Sequence, residues 1–311
     1  MLQRLRDYGV AVALVLLCVV FTASTNDFLT SDNIRNLVEQ AAEPGLIALG
    51  MTVVIIAGEF DLSAGAIFGF GGVIAAVVNN SSGMATAIAA GLAIGALLGL
   101  INGLIVSRGG IESFLVTLAT QFVFVGIAIY LTAGTNNWQI RDAEQFGQLA
   151  HGSIFGVQYG AWMALASFAV AGWVLARTAI GKQVFAIGGN LTAARVAGVR
   201  IHVVRVGVFV VSGLCAALAG VLAASDTGVA QADGGIGMEF SAITAVIIGG
   251  TSIAGGRGNV WRTIGGVFLL AVVANGFTLL YIDPTYNLLV QGSIILAAVI
   301  GDARVKRLVP A

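Results

Sequence analysis

The sequence predicts an all-α, polytopic membrane protein of about ten transmembrane helices, some broken or re-entrant, with both termini cytoplasmic. Three observations predict it. Of 311 residues, 58% are hydrophobic and only 10% charged, at a mean hydropathy of +0.97, a balance suited to lipid rather than to a soluble domain. The apolar residues gather in runs centred near 9–23, 44–57, 64–78, 84–106, 113–133, 161–176, 206–224, 241–254, 263–280 and 288–300. When the connections are assigned alternately to the two sides, Arg4, Arg6, Arg108, Arg177, Lys182, Arg195, Arg200, Arg205, Arg257, Arg262, Arg304, Lys306 and Arg307 share one face, leaving Arg35 and Arg141 opposite. Basic connections stay cytoplasmic during insertion, which fixes the expected orientation.

Taken in order, the first run follows MLQRLR and ends in Phe21-Thr22-Ala23-Ser24, a layout shared with secretory signal peptides. Nine further runs follow, so it is expected to remain as the first helix. The run at 44–57 leads into Gly58–Gly65, GEFDLSAG, which interrupts the apolar stretch before 64–78, and the run at 241–254 closes in GGTSIAGGRG over 249–258. Several runs fall short of the ~20 residues that cross a hydrocarbon core. Irregular backbone at membrane depth survives only inside protein or beside a wet cavity, and in transporters it commonly lies along the pathway. The 43 glycines fall largely within runs such as GFGGVIAA and GLAIGALLGLINGL, where they let helices approach closely.

An internal echo relates two regions. Glu59-Phe60-Asp61-Leu62-Ser63-Ala64 returns as Glu239-Phe240-Ser241-Ala242, and Asn102-Gly103 as Asn275-Gly276; the offsets, 239 − 59 = 180 and 275 − 102 = 173, suggest related halves over about 40–133 and 206–300.

Much chemistry is excluded. The net charge of zero provides no field to recruit nucleic acid. Cys18 and Cys215 each sit within an apolar run and imply no disulfide framework, while His151 and His202 fall on opposite sides, so no metal site is expected. The stretch Gly250–Arg257 has glycine spacing like that of a phosphate-binding loop but places Gly256 and Arg257 where Lys and Ser/Thr are needed, so the chain should not hydrolyse ATP itself. Nor does Gly250–Ala254 make a nucleophile elbow with any histidine to serve it.

The polar residues within the runs are the candidates for function. A carboxylate at mid-membrane costs about 2.5–3.5 kcal/mol on insertion scales, so Glu59 and Asp61 either serve the pathway or a gate, or sit at the water's edge where Asp61 and Ser63 cap the next helix. The amides Asn102, Gln121 and Asn275 suit a neutral polyhydroxylated cargo, or hydrogen bonds between helices. In the basic stretch 177–205, Gly188-Gly189-Asn190 precedes a short helical pattern, Leu191–Val199, bearing the small residues Ala193, Ala194 and Ala197 beside Arg195. A stubby helix lying along the membrane is the shape of a docking element for a cytoplasmic partner.

The stretches 33–65, 99–120, 181–199 (GKQVFAIGGNLTAARVAGV) and 242–266 (AITAVIIGGTSIAGGRGNVWRTIGG) resemble the ribose/xylose/arabinose-type permease subunits of bacterial ATP-binding cassette importers. The resemblance implies one transmembrane permease domain over residues 1–311 in the bacterial cytoplasmic membrane, dimerising with a second permease copy. It implies a cytoplasmic ATPase subunit carrying ATP and Mg, a periplasmic sugar-binding protein, and no cofactor on this chain. The family's coupling helix falls at about Asn190–Gly198, which includes Ala193, Ala194 and Arg195. The family usually reads GGIDLSVG where this chain has Gly58-Glu59-Phe60-Asp61-Leu62-Ser63-Ala64-Gly65, so Glu59 adds a charge. Alternative cargoes are a branched-chain amino acid or a nucleoside. A different mechanism, an ion-coupled carrier, would use Glu59 and Asp61.

Overall fold

The computed structural model describes residues 2–308, with side chains described for 9–296 and for residue 300. Every apolar run is helical over most of its length, the run at 241–254 only as far as Ile248. The chain passes through α1 (Leu2–Ser24), α2 (Ser31–Gln40), α3 (Ala42–Ile56), α4 (Ala64–Ser82), α5 (Met84–Gly109) and α6 (Ser113–Leu131). An irregular region follows, with β1 (Asn137–Gln139), α7 (Ala143–His151) and the strands β2 (Ser153–Ile154) and β3 (Val157–Gln158). Then come α8 (Tyr159–Arg177), α9 (Ala179–Gly189), α10 (Leu191–Val196), α11 (Ile201–Thr227), β4 (Val229–Gln231), α12 (Met238–Ile248), α13 (Val260–Leu279) and α14 (Thr285–Leu308).

Among the described residues, seven helical stretches are long and apolar enough to cross a membrane: Ser31–Ile56, α4, α5, α6, α8, α11 and α13. Three apolar helical segments are shorter: Gly9–Ser24, Met238–Ile248 and Thr285–Leu296. The protein is therefore an all-α polytopic membrane protein, as its sequence leads one to expect. The basic side chains of Arg4, Arg6, Arg304, Lys306 and Arg307 lie outside the described residues.

The strands are the unforeseen feature. β1 pairs antiparallel with β4, Trp138 opposite Ala230, and β2 with β3. Two or three residues carry too little alternation to be read as strand. Together with α7 they form a cap at the end of the bundle away from α10.

The helices sort into an inner and an outer set. In α3, Leu46, Ile47, Ala48, Leu49, Met51, Val54, Ile55 and Ile56 are at most 1% exposed, because neighbours surround this helix on all sides. By contrast α6 and α8 show Phe122, Val123, Val170 and Trp173 to the surroundings, the pattern of lipid-facing helices. Glycine sets the closest contact: Gly95, Gly99 and Gly103 recur every four residues along α5 and face α11, where a Cβ on Gly99 would strike the Phe209 carbonyl oxygen. Without a hydrophobic force between helices in lipid, such close backbone approach is what holds them.

Candidate functional site

The break between α3 and α4 is built by a local signal and then clamped by two other helices. Helix α3 stops at Gly58, whose φ of +81° only glycine adopts cheaply. The Glu59 N–H donates to the Val54 carbonyl at 3.1 Å and the Gly58 N–H to that of Ile55 at 2.9 Å, the paired bonds of a Schellman motif. Residues 57–63 then run without regular structure until Ala64.

Side chains from this segment reach α11. Glu59 Oε1 lies 2.6 Å from Arg205 Nε, with the Glu59 side chain 6% exposed. Asp61 is fully buried; its Oδ2 accepts from the Ser212 hydroxyl at 2.7 Å. Its Oδ1 accepts from the Ser63 hydroxyl at 2.6 Å and the Ser63 N–H at 3.1 Å. Asn102, on α5, donates to Ser63 Oγ at 2.7 Å, extending the chain of polar groups to a third element.

Backbone from the same segment reaches α6. The Phe60 N–H donates to Ser113 Oγ and the Leu62 N–H to Thr117 Oγ1, each at 3.0 Å. One turn further along α6, Gln121 donates to Glu239 Oε1 at 2.9 Å, and the Gly237 N–H donates to Glu239 Oε2 at 3.0 Å. Glu239 is 1% exposed and lies against Gly65, where a Cβ would collide with its carboxylate.

Thus Glu59, Asp61, Ser63 and Asn102 come together and Gln121 lies alongside. The placement of Asp61 at a wet edge is corrected: it turns back on Ser63 deep in protein, and Ser63, although at the N-cap position of α4, makes no side-chain cap bond. Asn275 is elsewhere, in a reciprocal amide pair with Asn33 at 2.8 and 3.0 Å. The sequence reading missed Arg205, Ser212, Ser113, Thr117 and Glu239. The four-residue spacing of Ser113, Thr117 and Gln121 on an apolar helix was a legible signal for α6; Arg205 was hidden among topological charges.

The stretch Asn190–Gly198 forms a capped helix. Asn190 Oδ1 accepts from the Ala193 N–H at 2.9 Å, and the helix ends on Gly198 at φ +79°, with Val199 N–H bonded to the Ala194 carbonyl and Gly198 N–H to that of Arg195. Ala193 and Arg195 are exposed. Ala194 needs correcting: expected on the docking face, it is 3% exposed and belongs to the buried cluster of Val54, Val184, Ile187 and Phe209. The outward residue is Val196, 85% exposed.

The helix before it, α9, which leads directly into α10, touches the break. A Cβ on Gly188 would strike the Ile56 carbonyl oxygen, and Gly58 packs on Gly188. The 249–259 segment joins at the same point, its Gly256 N–H donating to the Ile56 carbonyl at 2.9 Å. The Gly255 and Ser252 N–H groups donate to the carbonyls of Ser252 and Arg257, so these donors are occupied and none of the three is offered to a phosphate.

Comparison with known proteins fits this arrangement. Residues 33–299 match the family described as branched-chain amino acid transport system / permease component. The chain is 36% identical over 295 residues to the ribose import permease protein RbsC of Haemophilus influenzae, covering 94% of this chain and 91% of that protein. It is 36% identical over 301 residues to RbsC of Bacillus subtilis, covering 96% and 94%. It is 36% identical over 297 residues to the L-arabinose transport system permease protein AraH of Escherichia coli, covering 95% and 90%. No solved structure matches. A bundle of apolar helices broken at two glycine-ended junctions, matched along nearly its whole length, places the chain in the family of permease components of membrane transport systems.

Proposed function

We propose that the chain is the membrane-spanning subunit of an ATP-binding cassette importer for a monosaccharide or related polyol, working in the bacterial cytoplasmic membrane. The observation that carries this reading is the 36% identity to ribose and arabinose permeases across at least nine-tenths of both partners. In it, ten segments span with both termini cytoplasmic, and two copies form the pathway. A separate ATPase binds ATP and Mg, and a periplasmic binding protein delivers the cargo. Residues 190–198 seat on the ATPase through Ala193, Arg195 and Val196, Asn190 and Gly198 holding the helix ends and Ala194 holding it to the bundle. Movement of that helix reaches the break through the adjoining α9, whose Gly188 packs on Ile56 and Gly58, and there the Glu59–Arg205 ion pair and the Asp61–Ser212 hydrogen bond link it to α11.

Uptake measured in proteoliposomes containing the ATPase and binding protein tests the reading: ATP-dependent accumulation of a neutral pentose is expected. Robust transport of a branched-chain amino acid with no sugar transport would overturn it, a second cargo favoured by the family's description. Orientation is checked separately by single cysteines. In intact cells an impermeant thiol reagent should label Asn137→Cys and spare Leu191→Cys.

A further inference from the structure

A cavity of about 320 Å³ opens at the opposite end of α3 from α10, walled by α2, α3, α8 and α11. Fifteen residues of helix, about 22 Å, separate the two ends, so the cavity belongs to the outer face when α10 is cytoplasmic. Its polar wall consists of Asn36, Glu39, Gln40, Glu43, Gln158 and Asp226. Glu43 also lines an adjoining cavity of about 320 Å³ between α4 and α11, which has Phe68, Gly69, Gly72 and Gly220 on its wall.

Three features define what this wall would take. No hydrogen bond or ion pair ties the Glu43 carboxylate or the side-chain amides of Asn36, Gln40 and Gln158 to the described residues, so donors and acceptors both remain available. Glu39 accepts a single bond, from the Gln158 N–H at 3.4 Å, and Asp226 lies 3.6 Å from His151. The wall carries three carboxylates and no Lys, Arg or His, and the nearby Arg35 is turned towards Gly156 instead. Among the described residues no three such groups stand close enough to hold a metal ion. Carboxylates of which no three converge on one point, set among free amides, match a ligand with several separated hydroxyls.

We propose that this cavity receives the neutral sugar on the outer face, with Glu39, Glu43 and Asp226 accepting from separate hydroxyls, and that its negative wall turns away anionic cargo. The inference rests on the monosaccharide reading.

It is tested on the full transporter with Cys18→Ala and Cys215→Ala, carrying Gly160→Cys on the cavity wall, where an added Cβ meets only Leu222, at 3.7 Å. Labelling by an impermeant maleimide from outside should be slowed by ribose or arabinose and not by ribose 5-phosphate. Glu43→Gln with Asp226→Asn should raise the protecting concentration by about tenfold or more, since each substitution weakens one charge-assisted hydrogen bond. Ala161→Cys serves as a second reporter should the first fail to reach the membrane. Absence of pentose protection at both reporters, protection undiminished by the double substitution, or protection by calcium instead would overturn the inference. Pentose uptake by the parent transporter in proteoliposomes separates that failure from failure of the monosaccharide reading.

Discussion

The two breaks in the bundle begin alike and end differently. Helices α3 and α12 both close in a Schellman motif on a glycine, Gly58 at φ +81° and Gly250 at φ +82°, with Thr251 N–H bonded to the Val246 carbonyl as Glu59 N–H is to Val54. Beyond that point the 57–63 segment is held by side chains of α6 and α11, whereas the 249–259 segment is closed largely through backbone, on itself and on Ile56. Unwound chain inside a membrane protein must find partners for its peptide groups. Where it finds them in the side chains of other helices, its position is tied to theirs; where it finds them in its own backbone, it moves as a unit.

That contrast can be broken most forcefully at Arg205. Arg205→Ala leaves Glu59 buried and unpaired, a loss of about 3–5 kcal/mol, read as a fall in thermal unfolding temperature of the purified permease. Replacing both partners, Glu59→Ile with Arg205→Met, should recover most of it; a double variant as unstable as Arg205→Ala would show that the pair is not what holds the segment.

Gly188→Ala attacks the backbone side of the comparison. Its new methyl group meets the Ile56 carbonyl, and overpacking of this kind costs about 1–3 kcal/mol. ATPase activity should become uncoupled from sugar uptake, since α9, which carries α10, is displaced from the break; unchanged coupling would remove the junction from the mechanism.

Thr117→Val, nearly equal in volume, strands the Leu62 N–H at a cost of about 1–3 kcal/mol. Ser252→Ala removes no side-chain hydrogen bond to the described residues and should shift unfolding by under about 0.5 kcal/mol. Equal losses in the two variants would erase the distinction between the breaks.

The smallest effect on stability belongs to Val196→Asp, under about 0.5 kcal/mol because the residue is 85% exposed. Its effect on partner retention should nevertheless be large: the ATPase is expected to be lost on co-purification at normal membrane levels of the permease. Retention equal to that of the parent would move the docking face away from α10.

How much of this was legible follows from the range of each interaction. Hydropathy and glycine spacing are local, so the runs, the breaks after Ile56 and Ile248, and the helix bounded by Asn190 and Gly198 could be read from neighbouring residues. The capping bonds of that helix join residues at most five apart, which is why its ends agree with the pattern. Partnership across the fold is different. Glu59 and Asp61 stood out as costly charges, yet their partners Arg205 and Ser212 lie on a helix about 150 residues on, and nothing in the intervening chain specifies that α11 should pass beside the break. Asn275 looked equivalent to Asn102, but packing of α13 on α2 turned it to Asn33. Ala194 reads as an exposed small residue on a six-residue helix, and only the direction in which α10 lies on the bundle decided that it faces inward. The sequence by itself determined where helices form, stop and remain in lipid, because those choices are settled within a few turns of chain. Tertiary structure alone decided which buried charges meet and which face of α10 is free, because those depend on helices brought together by glycine-to-backbone contact over long separations.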